Sequence, residues 1–415
     1  MNTLRVALFL AIRQIRRSNP WTTLLIVFIM TLTFLNLVVV SGILVGLPEG
    51  ARASYSRQYS GEVLIRPLLT KQVIEQSQLM ISTLREMPEV AGISPRYTAS
   101  AIAESNYRTN IGPGKKPDTI TTIVSGIDPL LESTVTDMGE MMLQGEPLHD
   151  GEEGFVLLGK NLVEQYTVDG GQISALVLRD VSIGDKIRLT VSGNTNEYIV
   201  KGIVSGKISE VSTRIFMNDK ELRRILGRSD QNVGEIAVRL TQGADAREVV
   251  RALKALGYGA YARIETSRQS QGTFLDDIAV TFSVLSNVIG GIGIMVASIT
   301  VFIVIFINAV TRRKYIGILK GIGVTSATLE LSYVLQSLFY GIVGSSIGIA
   351  IIYYLLKPYF DLHPINFPFA DGMLLVPLDG TILRAAVLLG ITLVAGFVPA
   401  RMIVKQNTLD AILGR

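Results

Sequence analysis

From Ile278 to Thr311 the chain runs for 34 residues without a charge. As a single helix this run would extend roughly 50 Å at 1.5 Å per residue, whereas the hydrocarbon core of a bilayer is only about 30 Å thick. It is expected to cross a membrane and to continue above it as a stalk. A second such run, Thr22 to Leu47, has 26 uncharged residues, again more than the ~20 a crossing needs. Basic residues precede it, as in a signal peptide. Its apolar core is too long for one, however, and no small-x-small cleavage site follows, so it reads as a retained first span. Leu331 to Leu356 is a third span. The fourth is the weakest: only Ala385 to Ala400 lies between charges, Thr381 to Leu383 lengthen it, and Arg384 is expected to snorkel outward.

Charge then orients these spans. The segments assigned inside hold Arg5, Arg13, Arg16 and Arg17, then Arg312, Arg313, Lys314 and Lys320, then Arg401, Lys405 and Arg415. The short loop between spans three and four holds Lys357 alone against three Asp. Cytoplasmic loops carry the excess of Lys and Arg, so both termini are expected inside. Leu4, Leu8, Ala11 and Ile15 form a narrow stripe opposite most of the arginines, which predicts an amphipathic helix lying on the anionic inner leaflet. Asn19-Pro20-Trp21 ends it with an aromatic anchor. Residues 48–277 carry 26 Lys and Arg against 30 Asp and Glu, a net −4, and the remainder carries 13 against 5, a net +8. The basic character thus belongs to the membrane part, and nucleic acid is not an expected partner.

The expected fold class follows: a membrane protein with four transmembrane helices and a large extracytoplasmic α+β domain between spans one and two. The divisions are 1–20 (amphipathic helix), 21–47 (span 1), 48–277 (external domain, two subdomains), 278–311 (stalk and span 2), 312–329 (cytoplasmic loop), 330–356 (span 3), 357–380 (external loop), 381–400 (span 4) and 401–415 (tail). Within the external domain, strands are predicted at Glu62–Arg66, Thr119–Gly126, Glu153–Lys160, Arg214–Asn218 and Glu235–Leu240. Gly184–Val191 and Glu197–Val204 alternate around Gly193-Asn194, which predicts a hairpin. Helices are predicted at Lys71–Met87, Asn161–Tyr166, Lys220–Leu226 and Ala246–Leu256. In the spans, Gly290 with Gly293, and Gly341, Gly344 and Gly348, have the spacing of close helix packing.

Between spans two and three lies Arg312-Arg313-Lys314-Tyr315-Ile316-Gly317-Ile318-Leu319-Lys320-Gly321-Ile322-Gly323. Read as a helix, it puts Ile316, Ile318, Leu319 and Ile322 on one side and Gly317, Lys320 and Gly321 on the other. Each glycine costs roughly 1 kcal/mol in a helix interior, so stability alone does not account for three of them. Two readings fit this pattern: a loose glycine-rich loop, or a flat face to which another backbone comes close.

Reactive chemistry is sparse. Cysteine is absent and only His149 and His363 are present, which leaves no zinc site or thiol nucleophile to expect. Gly112-Pro113-Gly114-Lys115-Lys116 lacks the spacing and the Ser or Thr of a phosphate loop and reads as a hairpin tip. Glu152-Glu153 and Asp276-Asp277 are adjacent, so their side chains diverge, and they read as solvated. The spans hold no charge in their interiors, so an ion or proton pathway is not expected.

In order and topology the chain resembles the MacB/FtsX/LolC-type ABC transporter permeases, whose loop after the second span typically reads R-x-R-E-I-G-I-L-R-A-L-G-A-T. Arg312, Lys314, Ile316-Gly317-Ile318-Leu319, Lys320, Gly323 and Thr325 match it outright or conservatively. Tyr315 stands where the family usually has Glu, and Gly321 where it has Ala. Pro399-Ala400-Arg401 with Thr408 to Leu413 looks like the family's ending. Gly159 to Leu162, Gly184 to Ile187 and Val200 to Ile203 resemble recurring segments of its external domain.

The resemblance implies a non-enzymatic permease subunit in the inner membrane that binds no cofactor itself. ATP and magnesium would act through a cytoplasmic ATPase subunit, expected as a separate chain because only about twenty residues precede the first span. It implies a second permease copy, identical or different, and leaves room for a periplasmic adaptor beside the membrane lipid. ATPase contact would fall on Arg312, Lys314, Tyr315, Gly317, Leu319, Lys320, Gly321 and Gly323. The implied activity is export or extraction of a hydrophobic or amphiphilic envelope substrate such as a lipoprotein, lipid, peptide or drug. The alternative is signalling to a cell-wall hydrolase, for which an external domain near 230 residues is large.

Overall fold

A computed structural model describes residues 3–107, 118–166, 177–367, 370–372 and 374–405. The chain begins with α1 (Thr3–Arg16) and α2 (Pro20–Tyr55), the latter followed by a π-helical turn at Ser56–Ser60. Then come β1 (Val63–Pro67), α3 (Ser77–Glu86), β2 (Val90–Ser105), β3 (Asp118–Ile127), α4 (Pro129–Val135), β4 (Met142–Gly145) and β5 (Phe155–Gly159). They are followed by β6 (Lys186–Val191), β7 (Asn194–Val204), α5 (Ser209–Ser212), β8 (Arg214–Asn218) and α6 (Asp219–Ile225). Next are β9 (Glu235–Leu240), α7 (Ala246–Ala255), β10 (Ala262–Thr266) and α8 (Ser267–Ser270). The remainder comprises α9 (Phe274–Thr311), α10 (Arg313–Gly321), α11 (Ser326–Ile351), α12 (Lys357–Leu362), the short pair β11 (Ile365–Phe367) and β12 (Ala370–Gly372), and α13 (Leu378–Val404).

These elements form two compact units. One is Glu49–Asp276 with Phe367–Asp371; the other takes the chain as far as Pro48, then Asp277–Asn366, then Gly372 onward. In the first unit β2 belongs to two sheets. Its first half, Val90 to Arg96, pairs antiparallel with β9 in the order β10-β1-β9-β2. With α3 after β1 and α7 after β9, this is a split βαβ arrangement. From Tyr97 onward β2 pairs with β3, and β6 returns to pair with Ala101 to Glu104. The pairings β2-β3-β8-β5-β7-β6-β2 close a six-stranded ring, which leaves those strands no open edge. Ala101 and Ala103 point into the core and Ile102 is exposed, so small residues on the inner side fit the barrel.

The hairpin lies where its alternation predicts, as β6 and β7 with the turn at Ser192-Gly193. Three local expectations are corrected. The helix predicted from Lys71 begins only at Ser77. Asn161 to Tyr166 forms two short 3-10 turns rather than an α-helix. Glu62 is not in a strand; β1 begins at Val63. The segment Gly112 to Lys116, the pair Pro368-Phe369 and the ending Thr408 to Leu413 lie outside the described residues.

Among the described residues four helical stretches are long and apolar enough to cross a membrane: Pro20–Ser60, Phe274–Thr311, Ser326–Leu362 and Leu378–Met402. Met30, Phe34, Val301, Ile305, Tyr333, Tyr340, Leu388 and Ala395 are among the buried residues that join them. The Asn19 side chain accepts the Trp21 amide at 3.0 Å and starts α2. Helix α1 packs on α11, but through Ala7 and Ala11, which are buried, while Leu4 and Leu8 are exposed. Of the expected stripe, Ala11 faces α11 while Leu4 and Leu8 stay on the outer side of α1, free to meet a bilayer. Arg384 is half-buried and donates to the Ser41 hydroxyl on α2.

Candidate functional site

The segment between α9 and α11 is an ordered helix, α10, not a loose loop. It stops at Ile322 because Gly323 takes a positive φ of 97°, a conformation open to glycine at little cost. The Val324 amide then reaches Leu319 O and the Gly323 amide reaches Lys320 O, both at 3.0 Å, which is a Schellman ending. Gly323 is thus explained by the backbone.

The two faces of α10 are not partitioned as periodicity suggested. Ile316 and Gly317 are buried, and Leu319 and Lys320 are half-buried. Ile316 joins Ala309, Leu329, Tyr333, Ala400 and Val404 in the apolar core of the unit. Lys320 Nζ donates to Val404 O at 2.8 Å, placing a cation against the carbonyl end of α13, where the helix dipole favours it. Tyr315, Ile318 and Ile322 are exposed at 69%, 51% and 73%, with Lys314 and Gly321 also outward and Arg312 half-buried. Among the described residues nothing lies within 4 Å of the Cβ position of Gly321. The expected flat face of Gly317, Lys320 and Gly321 therefore keeps only Gly321 outside. Periodicity shows which residues share a side, and tertiary packing decides which side is covered.

The five glycines singled out for packing each meet another helix. An added Cβ would stand 2.9 Å from Leu37 at Gly290, 3.1 Å from Asn36 at Gly293 and 2.8 Å from Leu389 at Gly341. At Gly344 it would stand 2.6 Å from Met30, and at Gly348 2.5 Å from Phe34.

A second constellation, which no local sequence pattern marks, lies inside the external unit. Tyr59, in the π turn after α2, holds its ring between two guanidinium groups, each with Cζ 4.9 Å from the ring centroid. Arg96 donates through Nε and Nη2 to the Glu132 carboxylate at 2.8 and 2.7 Å, and Nη2 also reaches Tyr59 O at 2.7 Å. The hydroxyls of Ser94 and Thr136 donate to Glu132 at 2.6 and 2.7 Å. Arg214 donates to both Glu235 oxygens at 3.2 Å and to the Tyr59 hydroxyl at 3.0 Å, and that hydroxyl donates to Glu235 at 2.6 Å. All five residues are buried. Their charges cancel, and the bidentate pairs on either Arg fix the geometry of the turn, the strands and α4 relative to one another. Nearby, Asp276 pairs with Arg52 and, at 3.1 Å, with Arg268, and Glu152 and Glu153 diverge to Lys201 and Arg224. The expectation that these carboxylates are solvated is corrected for Glu152, whose side chain is mostly covered where it meets Lys201; Glu153 and Asp276 form ion pairs but keep nearly half of their side-chain surface exposed. Among the described residues no group of His, Asp and Glu could hold a metal ion.

Burial opposes the Glu235 carboxylate, but the charges of Arg214 and Arg96 and hydrogen bonds from Arg214 and Tyr59 outweigh it and hold its pKa below the ordinary value. A lowered folded-state pKa contributes stability that is present above the unfolded value of about 4.3 and is lost as pH falls through the folded value. Asp219 and Glu221 act in the opposite sense, since burial raises both; their cost at neutral pH disappears on acidification. Hydrogen-exchange protection of the β9 amides, corrected for intrinsic exchange, should fall below about pH 4.3. The decline should be weaker in Glu235→Gln; an identical acid limb in that variant would refute the assignment.

Residues 23–256, more than half of the chain, match the family described as MacB-like periplasmic core domain, and residues 287–408 match FtsX-like permease C-terminal. The ABC transporter permease YtrF of Bacillus subtilis (strain 168) is 25% identical over 162 residues, which is 36% of this chain and 35% of that protein. The match thus spans about a third of its length. An uncharacterized ABC transporter permease of Methanocaldococcus jannaschii is 21% identical over 289 residues, 68% of each chain. The crystal structure of the periplasmic region of MacB from Actinobacillus actinomycetemcomitans aligns with 14% identity and a TM-score of 0.35, covering 52% of this chain and 92% of that one.

Proposed function

Because the chain belongs to the ABC transporter permeases of the MacB/FtsX type, we propose that it couples ATP hydrolysis by a partner ATPase subunit to movements of its external domain. The work done is export or extraction of a hydrophobic or amphiphilic envelope substrate. The chain would lie in the inner membrane with both termini cytoplasmic, in a complex with a second permease copy, and ATP and magnesium would enter only through the ATPase.

The observation that carries this reading is α10. It is a helix with a glycine C-terminal cap between two apolar helices, seated on the membrane unit by Ile316 and Gly317. It turns Tyr315, Ile318 and Ile322 outward. Exposed apolar side chains beside basic residues suit a protein partner with a hydrophobic groove and an acidic rim. The face also revises which substitutions are informative. Gly317 is buried, so a bulky residue there would disturb folding and report little on docking.

The test is Ile318→Asp/Ile322→Asp and, separately, Gly321→Trp, in a permease co-purified and reconstituted with its ATPase. Insertion and monodispersity should match wild type. Recovery of the ATPase and its permease-stimulated turnover should each fall at least about tenfold, the effect of losing central apolar anchors. Full stimulation in both variants would remove α10 as the docking element. Recovery of a cell-wall hydrolase with the wild-type complex, without any effect on envelope substrates, would instead support signalling.

A further inference from the structure

A cleft of about 350 Å³ opens between α1, α10 and α11, lined by Leu10, Arg13, Gln14, Arg17, Arg312, Tyr315, Ile316, Leu319 and Tyr333. Three of these residues are arginines, and Arg13, Arg17 and Arg312 form no salt bridge among the described residues. At the cleft's inner wall the Tyr333 side chain is 1% exposed, and its hydroxyl has no hydrogen-bond partner among the described residues. The amide oxygen of Gln14 is likewise buried and unpartnered, and an amide can be turned to present its NH2 instead. Buried polar groups are ordinarily satisfied, so two such groups in a cleft with three cations that meet no carboxylate call for a ligand that accepts hydrogen bonds and carries negative charge.

The position in the fold selects its source. Arg312 follows directly on α9, which carries no charge from Ile278 to its end at Thr311. Arg13 and Arg17 lie at the end of α1, whose Leu4, Leu8, Phe9 and Ile12 are exposed, and Trp21 beyond it is 77% exposed. Apolar side chains and an aromatic anchor beside basic residues mark the headgroup level of a bilayer. The remaining wall, Leu10, Ile316 and Leu319, suits the glycerol and upper acyl carbons behind a phosphate. We infer that this cleft binds the phosphate of an anionic glycerophospholipid from the leaflet beside α1. Arg13, Arg17 and Arg312 would supply the charge and Tyr333 a hydrogen bond. A bound lipid would then brace α1 against the buried side of α10. That the leaflet is the cytoplasmic one rests on the orientation proposed above.

The test uses the full chain in nanodiscs containing equal phosphatidylglycerol and phosphatidylcholine, followed by release and native mass spectrometry. Wild type should retain phosphatidylglycerol in preference to phosphatidylcholine. The preference should fall about fivefold for each arginine neutralised in Arg13→Gln and Arg17→Gln, and it should fall in Tyr333→Phe, whose fold should be unchanged. No preference in wild type, or an unchanged preference in all three variants, would overturn the inference. Displacement of the lipid by millimolar inorganic phosphate would show a free-anion site instead. Loss of ATPase binding in the arginine variants with lipid preference intact would assign the cations to an acidic partner surface. Orientation is read separately, with Asn19→Cys in this cysteine-free chain. Its labelling by a membrane-impermeant thiol reagent only after permeabilisation supports the cytoplasmic placement. Labelling in intact cells would overturn that placement while leaving the headgroup site to stand on the lipid result.

Discussion

Replacing Glu132 by alanine is expected to destabilise the external unit by about 3–5 kcal/mol, the range for removing one partner of a buried ion pair. Glu132 and Arg96 are each 2% exposed, with Arg96 Nη2 2.7 Å from the carboxylate, and the substitution strands the guanidinium. Compensation is partial: Glu235 stands 3.9 Å from Arg96 Nη1, but Nη1 has no hydrogen-bond partner among the described residues even in the intact network. Ser94 loses its acceptor as well, and Thr136 keeps only the longer bond to Glu132 O, 3.3 Å. The effect should be local at first, since Arg96 also ties the carbonyl of Tyr59, so exchange in Ser56–Ser60 and in β2 should rise together. Glu153→Ala serves as the control, because its pair with Arg224 is exposed and surface pairs contribute little. The double variant Arg96→Met/Glu132→Leu should recover part of the loss. Recovery will be incomplete, because the stacking of Arg96 on the Tyr59 ring goes with the charge. Equal protection in wild type and Glu132→Ala would show that the pair contributes nothing.

The membrane helices were legible in the sequence because few soluble folds bury an uncharged helix as long as a bilayer is thick. The hairpin was legible because strict alternation around a polar turn is local information. Strand β2 was not, although it organises the external unit. It carries Gly92 and Pro95, and at its barrel end it places alanines inward and Ile102 outward, so its apolar signal is inverted. The charge network was hidden for a related reason. Tyr59, Arg96, Glu132, Arg214 and Glu235 come from a turn, three strands and a helix that only the topology joins, and each is unremarkable among its neighbours. For α10 the residue types were readable, and the cap at Gly323 was implicit in its glycine. Which face is covered depends on Val404 and Ala400 of α13 and on Tyr333 of α11, none of which a helical wheel contains.

A leucine at Gly344 is expected to prevent the membrane unit from assembling, whereas a leucine at Gly390 should be tolerated. The first β-carbon at Gly344 would lie 2.6 Å from Met30 Cβ, 3.1 Å from Thr31 N and 3.2 Å from Met30 C. Two of those three atoms are backbone, so no rotamer change relieves the clash and α2 must move away from α11. Separation also breaks the hydrogen bond from Thr31 Oγ1 to Gly344 O, 3.2 Å long. One turn along, Gly348 already meets the Phe34 ring, so the helices cannot pivot about that contact without a second collision. Lipid competes with protein for apolar surface, and helix association in a bilayer relies on such close packing. Overpacking of ordinary sites costs about 1–3 kcal/mol; a clash with backbone belongs at the upper end or beyond. At Gly390 nothing lies within 4 Å of the added carbon, and the same substitution adds the same apolar surface. Size-exclusion profiles in mild detergent should therefore show a monodisperse Gly390→Leu protein and an aggregated or poorly recovered Gly344→Leu one. Thr31→Ala, which removes the hydrogen bond and keeps the packing, should remain monodisperse, which would separate the steric cause from the polar one. If Gly344→Leu instead eluted like wild type, the close approach of α2 and α11 could not be what holds this unit together.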